Sequence, residues 1–176
     1  MIGKRNIVLV ALAVVLTAGL AHADADLGQQ VHRELVGLPY TGIWDWIQAD
    51  VRTDGTVELS GDVTRPSMKS DAEFRIRRME GVTKVIDNIR VLPLSQFDDQ
   101  IRVGVYRSLF NRNSTLSGYA LGANPSIHII VDNGTVTLKG VVSNGMDKQL
   151  AGVAANGVFG VFKVENDLQI ESRSRT

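Results

Sequence analysis

The sequence contains no cysteine. That excludes disulfides, thiolate metal sites and the lipidated residue of a lipoprotein signal, so stability must come from packing alone. Aromatic residues make up only 6% of the chain and prolines number four. Charge of one sign is also missing: 19 basic residues balance 19 acidic ones. A chain with no positive excess has no general affinity for nucleic acid. The histidines beyond residue 23, His32 and His128, show neither His-x-x-x-His spacing nor carboxylates at ligand spacing, so no metal is implied. No Gly-x-Ser-x-Gly elbow, phosphate-binding loop or Gly-x-Gly-x-x-Gly is present, and the acidic residues are scattered. The chain reads as a non-enzymatic protein without a cofactor.

Long hydrophobic runs are equally scarce, with one exception. Lys4 and Arg5 precede an apolar stretch from Ile7 to Leu20, which ends in Ala21-His22-Ala23. At about 14 residues the stretch is shorter than the roughly 20 that span a bilayer, and small-x-small is a cleavage signature. The reading is a cleavable secretory signal peptide over 1–23 and a mature chain from Asp24; a retained N-terminal anchor is the alternative. Loss of Lys4 and Arg5 leaves 17 basic residues against 19 acidic ones, a formal charge of −2.

What the chain does have is a repeat. Asp54-Gly55-Thr56-Val57-Glu58-Leu59-Ser60-Gly61 returns 79 positions later as Asn133-Gly134-Thr135-Val136-Thr137-Leu138-Lys139-Gly140. The offset persists without a gap: Ala72 matches Ala151, Gly81-Val82 matches Gly160-Val161, and Val91 matches Ile170. Asn133-Gly134 between alternating apolar runs predicts a hairpin with a type I′ turn, which needs positive φ at both centres. The first copy is one residue longer, which suits a three-residue loop with Gly55 in the left-handed region. Apolar residues at roughly helical spacing predict helices over Met68 to Met79 and over Asp147 to Val158, the latter on Leu150, Ala154 and Val158. Further helical patterns precede each hairpin, on Leu27, Val31 and Leu35 and on Phe97, Ile101, Val105 and Leu109, with Ser95 and Asp98 placed to cap the second.

The expected fold is therefore α+β, with two tandem αββαβ domains, each a three-stranded mixed sheet packed by two helices. The predicted boundaries are 24–94 and 95–172, with a tail over 173–176. The hairpin supplies two antiparallel strands, and the helical crossover returns the third parallel to the second. A short link, Pro93-Leu94-Ser95-Gln96, predicts a nearly fixed pair.

The stretch Gly55 to Val63 with Gly81 to Val91, recurring as Gly134 to Val142 with Gly160 to Ile170, resembles the BON domain, named from bacterial osmotically inducible and nodulation-related proteins. The resemblance covers nearly the whole mature chain. It implies a non-enzymatic binding module of the Gram-negative envelope, linked to osmotic stress and, given the secretory signal, periplasmic in address, with anionic phospholipid as the usual proposed partner. Binding of periplasmic or outer-membrane protein clients, as a chaperone or adaptor, is the rival. It hands over no catalytic residues: Gly55, Gly61, Gly81, Gly134, Gly140 and Gly160 are motif residues expected at turns and helix ends.

Candidate contact residues come in three groups. Arg75, Arg77 and Arg78 give one helix a basic side, although Asp71, Glu73 and Glu80 interleave with them as on an ordinary solvated face. The loop Asn111 to Pro125 is about six residues longer than its counterpart and lacks a period. Its Tyr119 and Leu121 are candidates for insertion at a membrane boundary while Arg107 and Arg112 meet headgroups; the plainer reading is a loop covering the sheet. Its Asn113-Ser114-Thr115 sequon is set aside as improbable in a bacterial envelope protein. Tyr40, Trp44 and Trp46 precede the first hairpin, and alternation puts both tryptophans on one face if strand has begun, for packing against a neighbouring helix or domain or for contact with lipid. Residues 24–95 carry 9 basic and 12 acidic side chains, residues 96–176 carry 8 and 7, so the second half suits an anionic surface better.

Overall fold

The computed structural model describes residues 27–39, 41–122 and 124–172. The segment read as a signal peptide, Tyr40 and the tail 173–176 lie outside them. Two αββαβ units follow one another. In the first, α1 (27–36) precedes β1 (Trp46–Val51), β2 (Thr56–Val63), α2 (Pro66–Arg77) and β3 (Lys84–Val91). The second contains α3 (Gln96–Leu109), a 3-10 turn (Thr115–Ala120), β4 (Ile127–Asp132), β5 (Thr135–Val142), α4 (Gly145–Asn156), β6 (Lys163–Asn166) and β7 (Gln169–Ile170).

Each hairpin has the turn its sequence asks for. Val51 pairs with Val57 around the longer loop, where Gly55 has φ 79°. Asp132 pairs with Thr135 around Asn133 (φ 50°) and Gly134 (φ 76°). In both sheets the second strand is central, antiparallel to the first and parallel to the third. The third strand of the second sheet is broken: β6 and β7 both pair with β5, on either side of Asp167 and Leu168. Gly61 and Gly140 are not turn residues as expected but lie inside β2 and β5. Their φ values are 129° and 117°, and a Cβ would stand 2.0 Å from the Trp46 carbonyl oxygen and 2.1 Å from that of Ser126.

Burial follows the predicted periods with one rotation. Met68, Ala72 and Ile76 of α2 are buried against Val57, Leu59 and Ile89, beneath Val31 and Leu35 of α1. On α3, Ile101, Val105 and Leu109 enter the second core, while Phe97 stays 45% exposed. Helix α4 turns Ala151 and Ala155 inward, at the positions matching Ala72 and Ile76, and leaves Leu150 exposed rather than in the core. The loop without a period is anchored: Leu116 is fully buried, Ser114 Oγ accepts from the Leu116 N–H, and Ser126 donates its N–H to the Tyr119 carbonyl. Its buried leucine is what orders it. Ser95 caps α3 as predicted, accepting from the Asp98 N–H, but the Asp98 carboxylate turns away to the hairpin.

The two units meet through the segment before β1. Asp45 is buried, and its Oδ1 accepts from both the N–H and the hydroxyl of Thr64 at the end of β2. So held, the segment presents the Ile43 carbonyl to the Ile129 N–H at 2.7 Å, which pairs a donor on the outer edge of β4. Ile43 and Trp44 then pack on the second core.

Candidate functional site

The structure separates the predicted contact residues into three places. Arg75, Arg77 and Arg78 are engaged within the first unit. Arg75 lies 3.6 Å from Glu34 of α1, Arg77 pairs with Glu73 one turn earlier, and Arg78 stacks 5.1 Å over the Phe74 ring. This is the pattern of a solvated face whose charges are largely spent on each other.

Trp44 and Trp46 occupy the junction. Strand begins only at Trp46, so strand alternation does not relate them; Trp44 sits in the preceding turn. The Trp44 ring lies 5.9 Å from Tyr106 of α3, and Trp46 stands edge-on to His128 of β4 at 5.0 Å. His128 is 8% exposed, and its Nδ1 donates to the Gly42 carbonyl at 3.2 Å. Burial holds its pKa below the ordinary 6.5, against the opposing pull of the Gly42 carbonyl and of Asp45. Both tryptophans are half-buried parts of a docking surface between the units.

Arg107, Arg112, Tyr119 and Leu121 divide again. Arg107 and Arg112 are exposed and make no ion pair, and Leu121 is 75% exposed. Tyr119 points the other way. Its hydroxyl donates to Asp147 at 2.6 Å and accepts from the Ser143 N–H at 2.9 Å, bolting the 3-10 turn to the start of α4. Sequence reading also passed over Lys148 on α4, a third cation of the second unit without an ion pair.

Two open clefts flank the junction. One, of about 270 Å³, is lined by Trp44, Leu92, Leu94, Arg102 and Val103; the other, of about 660 Å³, by Trp46, Gln48, Lys139, Lys148, Asn166 and Gln169. Among the described residues at the clefts, Lys139 pairs with Asp167 at 2.7 Å and the Thr64 hydroxyl donates to Asp45 at 2.8 Å. Among all the described residues no group of three His, Asp or Glu side chains is placed to hold a metal, and no helix is long and apolar enough to cross a membrane. What the site offers chemically is unpaired positive charge on the second unit.

Comparison with known proteins follows the repeat. A family model described as "BON domain" matches residues 23–93 and 113–172, leaving α3 between the two matches. Two solved structures of CdsD, a structural protein of the type III secretion system of Chlamydia trachomatis, are similar to the chain. The C-terminal domain of CdsD is 14% identical, with a TM-score of 0.35, over 84% of this chain and 98% of that one. A second CdsD structure is 12% identical, also with a TM-score of 0.35, over 85% and 94%. No curated protein matches.

Proposed function

The chain belongs to the BON-domain family, and from that premise we propose that it is a non-enzymatic envelope-stress protein of the periplasm whose second unit binds anionic phospholipid at a membrane surface. The observation that carries the reading is the unequal pairing of charge. In the first unit Arg52, Lys69, Arg75, Arg77 and Arg90 each have a carboxylate partner. Its unengaged cations, Arg33 and Lys84, are outnumbered by the unengaged Asp50, Asp71 and Glu80. In the second unit Arg107, Arg112 and Lys148 have no carboxylate partner; of the described carboxylates without a cation, Asp98 is buried, Asp147 accepts from Tyr119 and Asn144, and only the Glu171 side chain has neither an ion pair nor a hydrogen bond. A near-neutral protein attracts an anionic surface through such local patches, each charge contributing about 1 kcal/mol close to the headgroups and less as salt rises.

The test is cosedimentation of the chain from Asp24 onward with phosphatidylglycerol or phosphatidylcholine vesicles across a salt series. Binding to the anionic vesicles alone, weakening with salt, is expected, and Arg107→Ala with Arg112→Ala should lower it about tenfold or more. Equal binding to both vesicle types, or none, would overturn the reading. Suppression of the aggregation of an unfolded outer-membrane protein without lipid binding would put the client-holding function in its place.

A further inference from the structure

Duplication supplies an internal control on the surface of the second unit. At the constant offset, Met146, Leu150, Val153, Phe159 and Phe162 correspond to Ser67, Asp71, Phe74, Glu80 and Thr83. Both copies build the same helix and turn there, so the fold has no need of apolar side chains at four of these positions; at the fifth the first copy also carries an exposed Phe74. The correspondence reaches single contacts: Thr83 lies where a Cβ on Gly55 would meet it, as Phe162 does for Gly134. Yet the second copy is apolar throughout. Met146, Val153, Phe159 and Phe162 are 78%, 72%, 96% and 82% exposed.

The three α4 residues form one stripe. At about 100° per residue they fall within roughly 60° of each other, on the side away from the buried Ala151 and Ala155. Phe159 and Phe162 follow in the turn between α4 and β6. Single exposed apolar residues are ordinary, but several gathered on one face mark a surface of interaction.

Two features identify the occupant. The phenylalanines are almost bare, so they protrude instead of lining a groove; a protein partner needs a socket for each, whereas the headgroup boundary of a bilayer receives such side chains without one. The adjoining free charge is positive. Helix α3 lies alongside α4, with Ser108 Oγ donating to the Ala154 carbonyl, and the neighbouring Arg107 is exposed and unpaired, as is Arg112 just beyond the helix.

We infer that the outer stripe of α4 (Met146, Leu150 and Val153), together with Phe159 and Phe162 of the turn that follows it, enters the headgroup region of an anionic phospholipid bilayer while Arg107 and Arg112 hold the headgroups. The inference rests on the lipid-binding function and moves insertion from Tyr119, whose hydroxyl is held inward, to α4.

The decisive variant gives the second copy the residues of the first: Met146→Ser, Leu150→Asp, Phe159→Glu and Phe162→Thr. Phe159→Glu alone is the companion, at a position too exposed to matter for folding. Wild type should sediment with phosphatidylglycerol vesicles; the fourfold variant should bind at least about tenfold more weakly and Phe159→Glu at least about threefold, with unchanged circular dichroism. Variants that bind like a binding wild type would overturn the inference and leave the function standing, with Arg107→Ala and Arg112→Ala still reporting on the charge. Loss of self-association in sedimentation velocity, with vesicle binding untouched, would overturn it in favour of a second copy as occupant. A wild type that binds no vesicles would remove the function and the inference together.

Discussion

The Asp98 carboxylate, in the first turn of α3, accepts from the backbone N–H of Gly134 at 2.9 Å and from that of Asn133 at 3.1 Å. It thereby holds both central residues of the β4–β5 turn from a helix that precedes them by more than 30 residues. Asp98 is only 1% exposed, so Asp98→Ala leaves one buried and one partly buried donor without a partner. Charge-assisted bonds of this kind are individually worth about 1.5–3 kcal/mol. Urea unfolding of Asp98→Ala is expected to show a loss of about 2–4 kcal/mol with the slope unchanged. A loss below about 0.5 kcal/mol would mean that water replaces the carboxylate freely.

Gly140 tests the close approach of β4 and β5. A Cβ there meets the Ser126 carbonyl oxygen at 2.1 Å, and its φ of 117° is itself strained for any L side chain. Backbone cannot withdraw as a flexible side chain does. Gly140→Ala is expected to cost at least about 3 kcal/mol, and Gly61→Ala about as much, read as a fall in the thermal midpoint. Gly118→Ala is the control, since nothing lies within 4 Å of a Cβ there.

Protonation of His128 should loosen the junction. Burial lowers its folded pKa below the 6.5 of an unperturbed imidazole, so the unfolded chain binds the proton more readily. The stability this group contributes is therefore complete above about pH 6.5 and is lost as the pH falls from there through the lowered folded value. Gly42 and Asp45, which face the ring, favour the charged form and keep the loss modest. His128→Phe preserves an aromatic against Trp46 and removes the proton site. Its thermal midpoint between pH 7.5 and 5 should fall less than that of wild type; parallel curves would show that His128 does not titrate with unfolding.

How far the sequence could be read depends on the range of each interaction. The hairpins, α2 and the parallel return of the third strand were legible because Asn133-Gly134, Gly55 and the spacing of Ala72, Ile76 and Met79 are local signals, although α2 ends at Arg77, before Met79. Helix α4 was legible as a helix but not in its facing: Leu150 fits a helical period, and only the match of Ala151 to Ala72 shows which side is buried. The docking of Ile43 on Ile129 left no local trace, since it consists of a carbonyl meeting an edge N–H, and nothing local decides between an outward and an inward Tyr119, whose partner Asp147 lies 28 residues away. The apolar face of α4 was readable in principle, by aligning the two copies and asking where a polar or charged side chain in one, as at Ser67, Asp71, Glu80 and Thr83, is replaced by hydrocarbon in the other.

Two kinds of contact join the units, and their magnitudes differ. Arg90 of β3 bridges them, its Nε donating to Asp62 at 2.7 Å and its Nη1 to Asp132 across the junction at 2.6 Å. Its side chain is 60% exposed, and exposed ion pairs contribute about 0–1 kcal/mol after screening and side-chain entropy are counted. Trp44, by contrast, packs a large ring on the second core and against Tyr106, where burial of a comparable side chain is worth about 1.5–3 kcal/mol before any loss for partial exposure. Apolar docking should therefore dominate. Trp44→Ala is expected to lower stability by about 2 kcal/mol and to broaden the distance distribution between spin labels placed one in each unit, while Arg90→Ala should cost less than about 1 kcal/mol and leave that distribution unchanged. The reverse ranking would make the junction an electrostatic one, and 0.5 M salt would then separate the units in the wild type, whereas a junction held by Trp44 and the Ile43 to Ile129 hydrogen bond should be indifferent to it.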